Sequence, residues 1–64
     1  MIQNNRLRAA RALKGLTQLQ LADLLGVREI EVSRLETGRA RPTPEVKRRI
    51  AEILGKQPFE IFDS

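Results

Sequence analysis

The sequence predicts an all-α fold, a compact bundle of five short helices that forms one domain over residues 1–64. Two observations support this prediction. Apolar residues recur at helical spacing from segment to segment, and no segment shows the alternation with period two that is typical of a strand. Helix start and stop signals separate these segments. They are Asn4 or Asn5, Thr17 and Thr43 at the starts, and Gly15, Gly26, Gly38 and Gly55 at the ends.

The first helix is predicted from the asparagine cap to the neighbourhood of Lys14 and Gly15. Asparagine suits this start because its side-chain oxygen accepts a hydrogen bond from an unpaired backbone N–H of the first turn. The inward residues are predicted to be Leu7 and Ala10, together with Ala12 or Leu13.

Helix two is predicted over Gln18–Leu25. Thr17 and Gln20 have the spacing of a capping box, in which each side chain satisfies an unpaired backbone N–H. Ala22 is small enough to let a second helix approach closely, and Gly26 ends the helix because glycine tolerates the left-handed conformation of a tight stop. The predicted apolar face is formed by Leu21, Leu24 and Leu25.

Helix three is predicted over residues 28–37, and its inward face consists of Val32 and Leu35 beside Val27. A loop follows over residues 38–43. Thr43 and Pro44 then start helix four, since proline is tolerated at the first helical position. Helix four carries one apolar stripe, and Pro58 opens a last short turn. The stripe is formed by Val46, Ile50, Ile53 and Leu54.

Helices two and three are joined by a short turn that contains a glycine, which describes a helix-turn-helix. The segment resembles the DNA-binding domain of the phage repressor and Cro family. The matching positions are Gln18, Leu21, Ala22, Gly26, Val32 and Leu35, followed by the exit residues Glu36, Thr37, Gly38, Arg39 and Pro42. The resemblance runs from about Leu7 to Phe62 and implies a lambda-repressor-like fold that binds double-stranded DNA.

The composition excludes several classes of function. With no Cys and no His, the chain cannot form a zinc site of the usual kind, a disulfide or a thiol nucleophile. We therefore expect no cofactor, no metal and no enzymatic activity. The longest apolar runs span only a few residues and the N-terminus lacks the apolar core of a signal peptide, so no membrane span and a cytoplasmic location are expected.

The charge balance favours an anionic partner. The net charge is +4 and the isoelectric point is near 10.7, and nine of the twelve basic residues are arginine. Arginine is suited to bidentate contacts with phosphate and guanine, although a solvated basic surface is the alternative. The run Lys47, Arg48 and Arg49 is expected to be such a solvated face, because consecutive helical residues do not face one surface.

The candidate base-contacting residues lie on the second helix of the helix-turn-helix, which enters the major groove. With Val32 and Leu35 facing the core, the outward face consists of Arg28, Glu29, Ile30, Ser33 and Arg34. The resemblance places the base-reading positions on Glu29, Ile30 and Arg34, and Ser33 completes the exposed patch. An arginine can donate two hydrogen bonds to guanine, and an isoleucine can pack on a thymine methyl group.

Each of these residues also has a structural alternative. Arg34 could pair with Glu31 on the surface, and Ile30 could be partly buried beside Val27. Glu29 and Glu31 depart from the family pattern of neutral polar residues. A glutamate can accept a hydrogen bond from the cytosine amine, but both residues could instead complement the positive helix N-terminus and replace the missing cap.

The candidate phosphate-contacting residues are Thr17, Gln18, Arg28, Arg39 and Arg41. Thr17 and Gln18 open helix two, where free backbone N–H groups attract phosphate, and the resemblance assigns Gln18 this contact. For Thr17 and Gln20, capping is the favoured role. Arg39 and Arg41 flank the exit of helix three, and a solvated basic loop is the alternative for them.

Two further groups have structural or assembly roles. Arg11 and Glu36 match an ion pair that ties helix one to the end of helix three in the family. Phe59 stands where the family has a polar residue and has little chain left to cover it, which suggests a partner surface. We predict a homodimer interface with Phe59 at its centre and Leu13 or Ile61 beside it; the alternative is that Phe59 folds back onto the core.

These observations predict a sequence-specific transcriptional regulator that binds a palindromic operator as a homodimer. One domain of this size makes few base contacts, whereas a two-fold dimer doubles them and places its recognition helices about 34 Å apart. The alternative is an antitoxin, a protein-interaction module of the same fold that binds DNA secondarily.

Overall fold

The computed structural model describes residues 4–62, and the five predicted helices are present in it. In chain order they are α1 (Asn5–Leu13), α2 (Gln18–Leu25), α3 (Glu29–Thr37), α4 (Pro44–Leu54) and α5 (Pro58–Ile61). The described residues contain no strand, which confirms the prediction of an all-α fold.

Helices α1, α2 and α4 begin at the side-chain caps that the sequence predicts. The Asn4 side-chain oxygen accepts the Leu7 N–H at 2.9 Å. In the same way, the Thr43 hydroxyl oxygen accepts the Val46 N–H at 3.2 Å. Each contact satisfies a backbone donor that has no partner within its own helix. The helix boundaries are therefore set by local chemistry.

The turn between α2 and α3 depends on a glycine. Gly26 has φ +75° and caps α2 in the left-handed conformation, in which its N–H donates to the carbonyl oxygens of the last turn. A side chain at this φ would be strained, because Cβ would approach backbone atoms. The turn is closed further by the Val27 N–H, which donates to the Ala22 carbonyl oxygen at 3.0 Å. This geometry fixes the angle at which α3 leaves α2.

The core is built where α2 and α3 pack on each other and where the remaining helices cover them. Helix α1 packs against α3 and α5, and α4 packs against α2 and α5. The buried apolar residues are Leu7, Ala10, Leu21, Ala22, Leu25, Val32, Ile50, Ala51, Leu54, Ile61 and Phe62. This arrangement supports α3 from behind and leaves its outer side exposed.

Two predictions about the core are wrong: Ala12 or Leu13 as an inward residue of helix one, and Leu24 on the apolar face of helix two. Ala12 and Leu13 are exposed at the end of α1, and Leu13 is 81% exposed. Leu24 is 54% exposed. The inward side of α2 is centred on Leu21 and Leu25, and Leu24 lies to one side of it. Helices α1 and α2 therefore each bury a narrower stripe than their apolar residues would allow.

The prediction that Ile61 lies on a dimer surface is also wrong. Ile61 is 1% exposed and belongs to the core. The short helix α5 packs against α1 and α4, so one of its sides faces inward and takes Ile61 with it. Phe59 lies elsewhere on the same helix and is 72% exposed, which excludes the alternative that it closes the core of the monomer.

We expect Ala22→Leu to destabilise the fold. Ala22 is fully buried on α2, which packs against α3, and a larger side chain there would force the helices apart. Overpacking of this kind costs about 1–3 kcal/mol. Urea unfolding of the variant would measure the loss. Ala9→Leu, at an exposed position on α1, is the matched control; equal unfolding midpoints for the two variants would contradict the prediction.

The helices described over residues 4–62 lack the length and the apolar character that a membrane span requires.

Candidate nucleic-acid interface

The start of α2 is held by a reciprocal cap. The Thr17 hydroxyl oxygen accepts the Gln20 N–H at 3.0 Å, and the Gln20 side-chain oxygen accepts the Thr17 N–H at 2.8 Å. This is the capping box that the sequence predicts, and it matches the favoured role of both residues. The other first-turn N–H groups of α2 have no partner within the helix, and together with the helix dipole they favour an anion at this end.

Gln18, the first residue of α2, has a contact that the sequence does not predict. Its Nε2 atom donates to Glu36 Oε1 at 2.9 Å, and the residue is half-buried. A primary amide carries a second N–H and a carbonyl oxygen, so this bond uses only part of its capacity. The contact holds the Gln18 side chain in one orientation at the exposed end of the helix.

Glu36 is the centre of a buried polar cluster. It is fully buried near the end of α3, and Arg11 binds it through Nε at 2.6 Å and Nη2 at 3.3 Å. Arg11 Nη1 also donates to the Leu16 carbonyl oxygen at 2.7 Å, and Arg8 Nε lies 3.7 Å from Glu36 Oε1. The cluster therefore joins α1, α2 and α3. The structure brings Arg11 and Glu36 together as the resemblance implies and adds two partners, Gln18 and Arg8.

The environment of Glu36 lowers its pKa. Burial alone raises the pKa, because it disfavours the charged form. The hydrogen bonds from Arg11 and Gln18 and the positive charges of Arg11 and Arg8 act in the opposite direction and outweigh burial. The carboxylate is therefore ionised at neutral pH, and the three helices are held together by charge-assisted hydrogen bonds.

The outward face of α3 contains the predicted base-contacting residues. Glu29, Ile30 and Arg34 are exposed, and Ser33 is half-buried. Ile30 is 53% exposed, so it is not a core residue beside Val27. Within residues 4–62, the Arg34 side chain makes no ion pair, which leaves its guanidinium available to a partner outside the chain.

Arg28 and Glu31 form the start of α3. Glu31 Oε2 accepts the backbone N–H of Arg28 at 3.0 Å. The glutamate side chain therefore caps the start of α3, where Arg28 provides no side-chain cap. An arginine side chain has no acceptor and cannot complete the reciprocal bond. Glu31 is therefore a capping residue, and the Arg28 side chain remains exposed.

The loop that follows α3 carries Arg39 and Arg41, both exposed. The backbone N–H groups of Arg39 and Ala40 donate to the Arg34 carbonyl oxygen at 2.8 Å and 3.2 Å. These bonds hold the start of the loop against the last turn of α3. Arg41 and Arg34 line one cleft, so the loop and the helix present positive charge close together.

Arg49 belongs to the same region, although its place in the sequence does not indicate this. Its Nη2 atom donates to the Leu24 carbonyl oxygen at 3.5 Å, and its side chain lines the cleft with Arg34 and Arg41. The expected solvated run on α4 is therefore divided, since Arg49 faces α2 and α3 while Arg48 is simply exposed. The contact spans 25 residues, and no local signal in the sequence identifies it.

The predicted dimer residues occupy two different environments. Leu13 and Phe59 are exposed on α1 and α5, two helices that pack against each other, whereas Ile61 is buried. Two large apolar side chains are therefore left uncovered on neighbouring elements.

Within residues 4–62 there is no group of three acidic, His or Cys side chains that could hold a metal ion.

Comparison with known proteins assigns the family. A family model described as helix-turn-helix matches residues 7–61. No curated protein sequence matches the chain. Among solved structures, the fold is similar to the restriction-modification controller protein C.AhdI from Aeromonas hydrophila, with a TM-score of 0.84 and 34% sequence identity. The similarity covers 92% of this chain and 89% of that one. The chain therefore belongs to the Cro/C1-type helix-turn-helix family of DNA-binding transcriptional regulators.

Proposed function

We propose that residues 1–64 form one DNA-binding domain that recognises a palindromic operator as a homodimer. The observation that carries this proposal is the exposed outer face of α3, which is supported from behind by α2 and the core. In a helix-turn-helix this face lies in the major groove. The net charge of +4 supplies the electrostatic attraction to the duplex.

The proposed base contacts are divided among four side chains. Arg34 donates two hydrogen bonds to a guanine, a pairing worth about 1–3 kcal/mol of discrimination. Ile30 packs on a thymine methyl group, and Glu29 accepts a hydrogen bond from a cytosine amine. Ser33, which is half-buried, contacts the edge of a neighbouring base.

The proposed phosphate contacts surround this face. Arg28 lies at the start of α3, and Arg39 and Arg41 lie in the loop after it. Thr17 and Gln18 contribute from the start of α2, with the backbone N–H groups there. Gln18 uses the amide groups that Glu36 leaves unoccupied. Such contacts position the domain on the duplex and carry no sequence information.

The proposed dimer pairs the surfaces around Phe59 and Leu13 of two copies. Both side chains are exposed and lie on helices that pack against each other, and the proposed contact covers both. A two-fold arrangement then places the recognition helices about 34 Å apart, one turn of DNA. Ile61 supports this surface from the core and takes no part in the contact.

The alternative function, an antitoxin, has less support. The solved structure to which the chain is similar is that of a restriction-modification controller protein, and the identity of 34% extends over most of both chains. This similarity favours a regulator, and we propose control of restriction-modification genes as the setting. Selection of bound sequences from a random DNA pool would identify the operator for comparison with such genes.

DNA binding is expected to weaken steeply as salt concentration rises, because arginine–phosphate contacts release counterions. Arg34→Ala should reduce the binding free energy for the operator by roughly 1–3 kcal/mol and should change the binding free energy for random DNA little. Arg39→Ala with Arg41→Ala should weaken binding to both DNAs alike and reduce the salt dependence. Fluorescence anisotropy at several salt concentrations would measure these effects. A wild-type protein without salt-sensitive DNA affinity at low ionic strength would refute the proposed function.

A further inference from the structure

We propose that the cleft between α3, α4 and the loop that joins them binds a small organic carboxylate with an apolar body. The cleft has a volume of about 220 Å³. It lies beside the outer face of α3.

Much of the lining of the cleft is apolar. Leu25 comes from the end of α2, Val27 from the turn, Leu35 from α3 and Val46 from α4. The last three are half-buried and pack against the core, so each keeps part of its apolar surface uncovered toward the cleft. An apolar group that enters this space would remove that surface from water, which is favourable.

Three of the residues that line the cleft are basic. Arg34, Arg41 and Arg49 line it from three different elements, and the one acidic residue is Glu31. These four side chains have a formal net charge of +2. The Glu31 carboxylate already accepts the Arg28 backbone N–H. Within residues 4–62 none of the three arginines forms an ion pair, so an anion in the cleft would relieve their mutual repulsion.

The size and chemistry of the cleft define the ligand class. Drug-sized ligands occupy pockets of about 300–1,000 Å³, and this cleft is smaller, which suits a single ring or a short chain. A carboxylate matches the planar guanidinium group through two parallel hydrogen bonds. Inorganic phosphate would gain nothing from the apolar interior, and a phosphate of a DNA backbone can reach the arginines without filling the space behind them.

The position of the cleft gives the ligand a regulatory consequence, and this consequence rests on the proposed function. Arg34 and Arg41 are proposed DNA contacts and also line the cleft. A carboxylate that binds these guanidinium groups withdraws them from DNA. Because such coupling is reciprocal, DNA would weaken carboxylate binding by the same factor.

Benzoate is the probe for the test, titrated into the wild-type protein without DNA. We expect saturable NMR shifts of the methyl groups of Leu25, Val27, Leu35 and Val46. Arg49→Gln should weaken benzoate binding roughly tenfold, since one charge-assisted hydrogen bond is lost. Arg48→Gln removes the same charge from the adjacent exposed position and should leave the affinity unchanged. The spectra of both variants would show that each is folded.

Three results would overturn the proposal. Absence of saturable shifts at these methyl groups would show that the cleft does not bind the probe. Equal binding of benzyl alcohol would exclude a role for the arginines, and equal shifts with inorganic phosphate would exclude a role for the apolar interior. DNA binding is measured separately by anisotropy, so a protein that binds benzoate but not DNA would refute the proposed function and leave the cleft proposal standing.

Discussion

Glu36→Ala is expected to remove a large share of the stability of this domain. The substitution leaves the Arg11 guanidinium, whose side chain is only 14% exposed, without the carboxylate that it binds at 2.6 Å. Breaking a buried ion pair from one side costs about 3–5 kcal/mol. The free energy of unfolding of a domain of this length is roughly 3–10 kcal/mol in total, at about 0.05–0.15 kcal/mol per residue. Thermal unfolding followed by circular dichroism should show a loss of at least about 12 °C.

The control is Glu52→Ala, which removes an exposed glutamate from α4. A surface substitution of this kind should change stability by no more than about 0.5 kcal/mol. If Glu36→Ala melts within a few degrees of the control, then the buried cluster does not hold the three helices together. Loss of the cluster would also release the Gln18 side chain, which donates to Glu36 in the wild type.

The effect of Glu36→Ala should also depend on pH in a defined direction. The pKa of Glu36 is lowered in the folded protein from its ordinary value of 4.5. Its contribution to stability is therefore complete above that ordinary value and is lost as the pH falls through the folded-state pKa. Wild type and variant should thus differ most near neutral pH and converge in acid. A difference in unfolding free energy that stays constant down to about pH 3 would contradict this linkage.

Phe59→Asp is expected to give a folded monomer with much weaker operator affinity. Phe59 is 72% exposed, so the substitution disturbs little of the core, but it places a charge at the centre of the proposed dimer contact. A monomer binds one half-site at a time, whereas a dimer binds both half-sites together. Linking two binding sites in this way raises the overall affinity roughly 10²–10⁴-fold. Sedimentation velocity would measure the mass, and anisotropy would measure the affinity for the operator and for a half-site.

Leu24→Asp is the matched control for assembly, because it places the same charge on another exposed leucine, outside the proposed interface. This variant should sediment as a dimer. Leu13→Asp should behave as Phe59→Asp does, since both side chains belong to the proposed contact. A wild-type protein that sediments as a monomer at high micromolar concentration would exclude the interface.

The helix boundaries were predictable because they depend on chemistry within a few residues. Thr17 and Gln20 cap α2 through bonds that span three positions, and Thr43 caps α4 in the same way. Gly26 and Gly38 end their helices with φ values of +75° and +77°, which few other residues tolerate. The family resemblance rests on the same local pattern, and the matched region of residues 7–61 confirms it.

The sequence by itself therefore determined the class of fold, the position of the helix-turn-helix and the outward face of α3. Only the tertiary structure decided which apolar residues are covered, because that depends on the direction in which helices cross. Leu13 and Leu24 are apolar, as core residues usually are, but they are exposed. The charged residue Glu36, in contrast, is fully buried. The bonds from Gln18 to Glu36 and from Arg49 to Leu24 join residues 18 and 25 positions apart. The hydrophobic periodicity of a sequence describes one helix at a time. Contacts between helices therefore cannot be predicted from it and are known only from the packed structure.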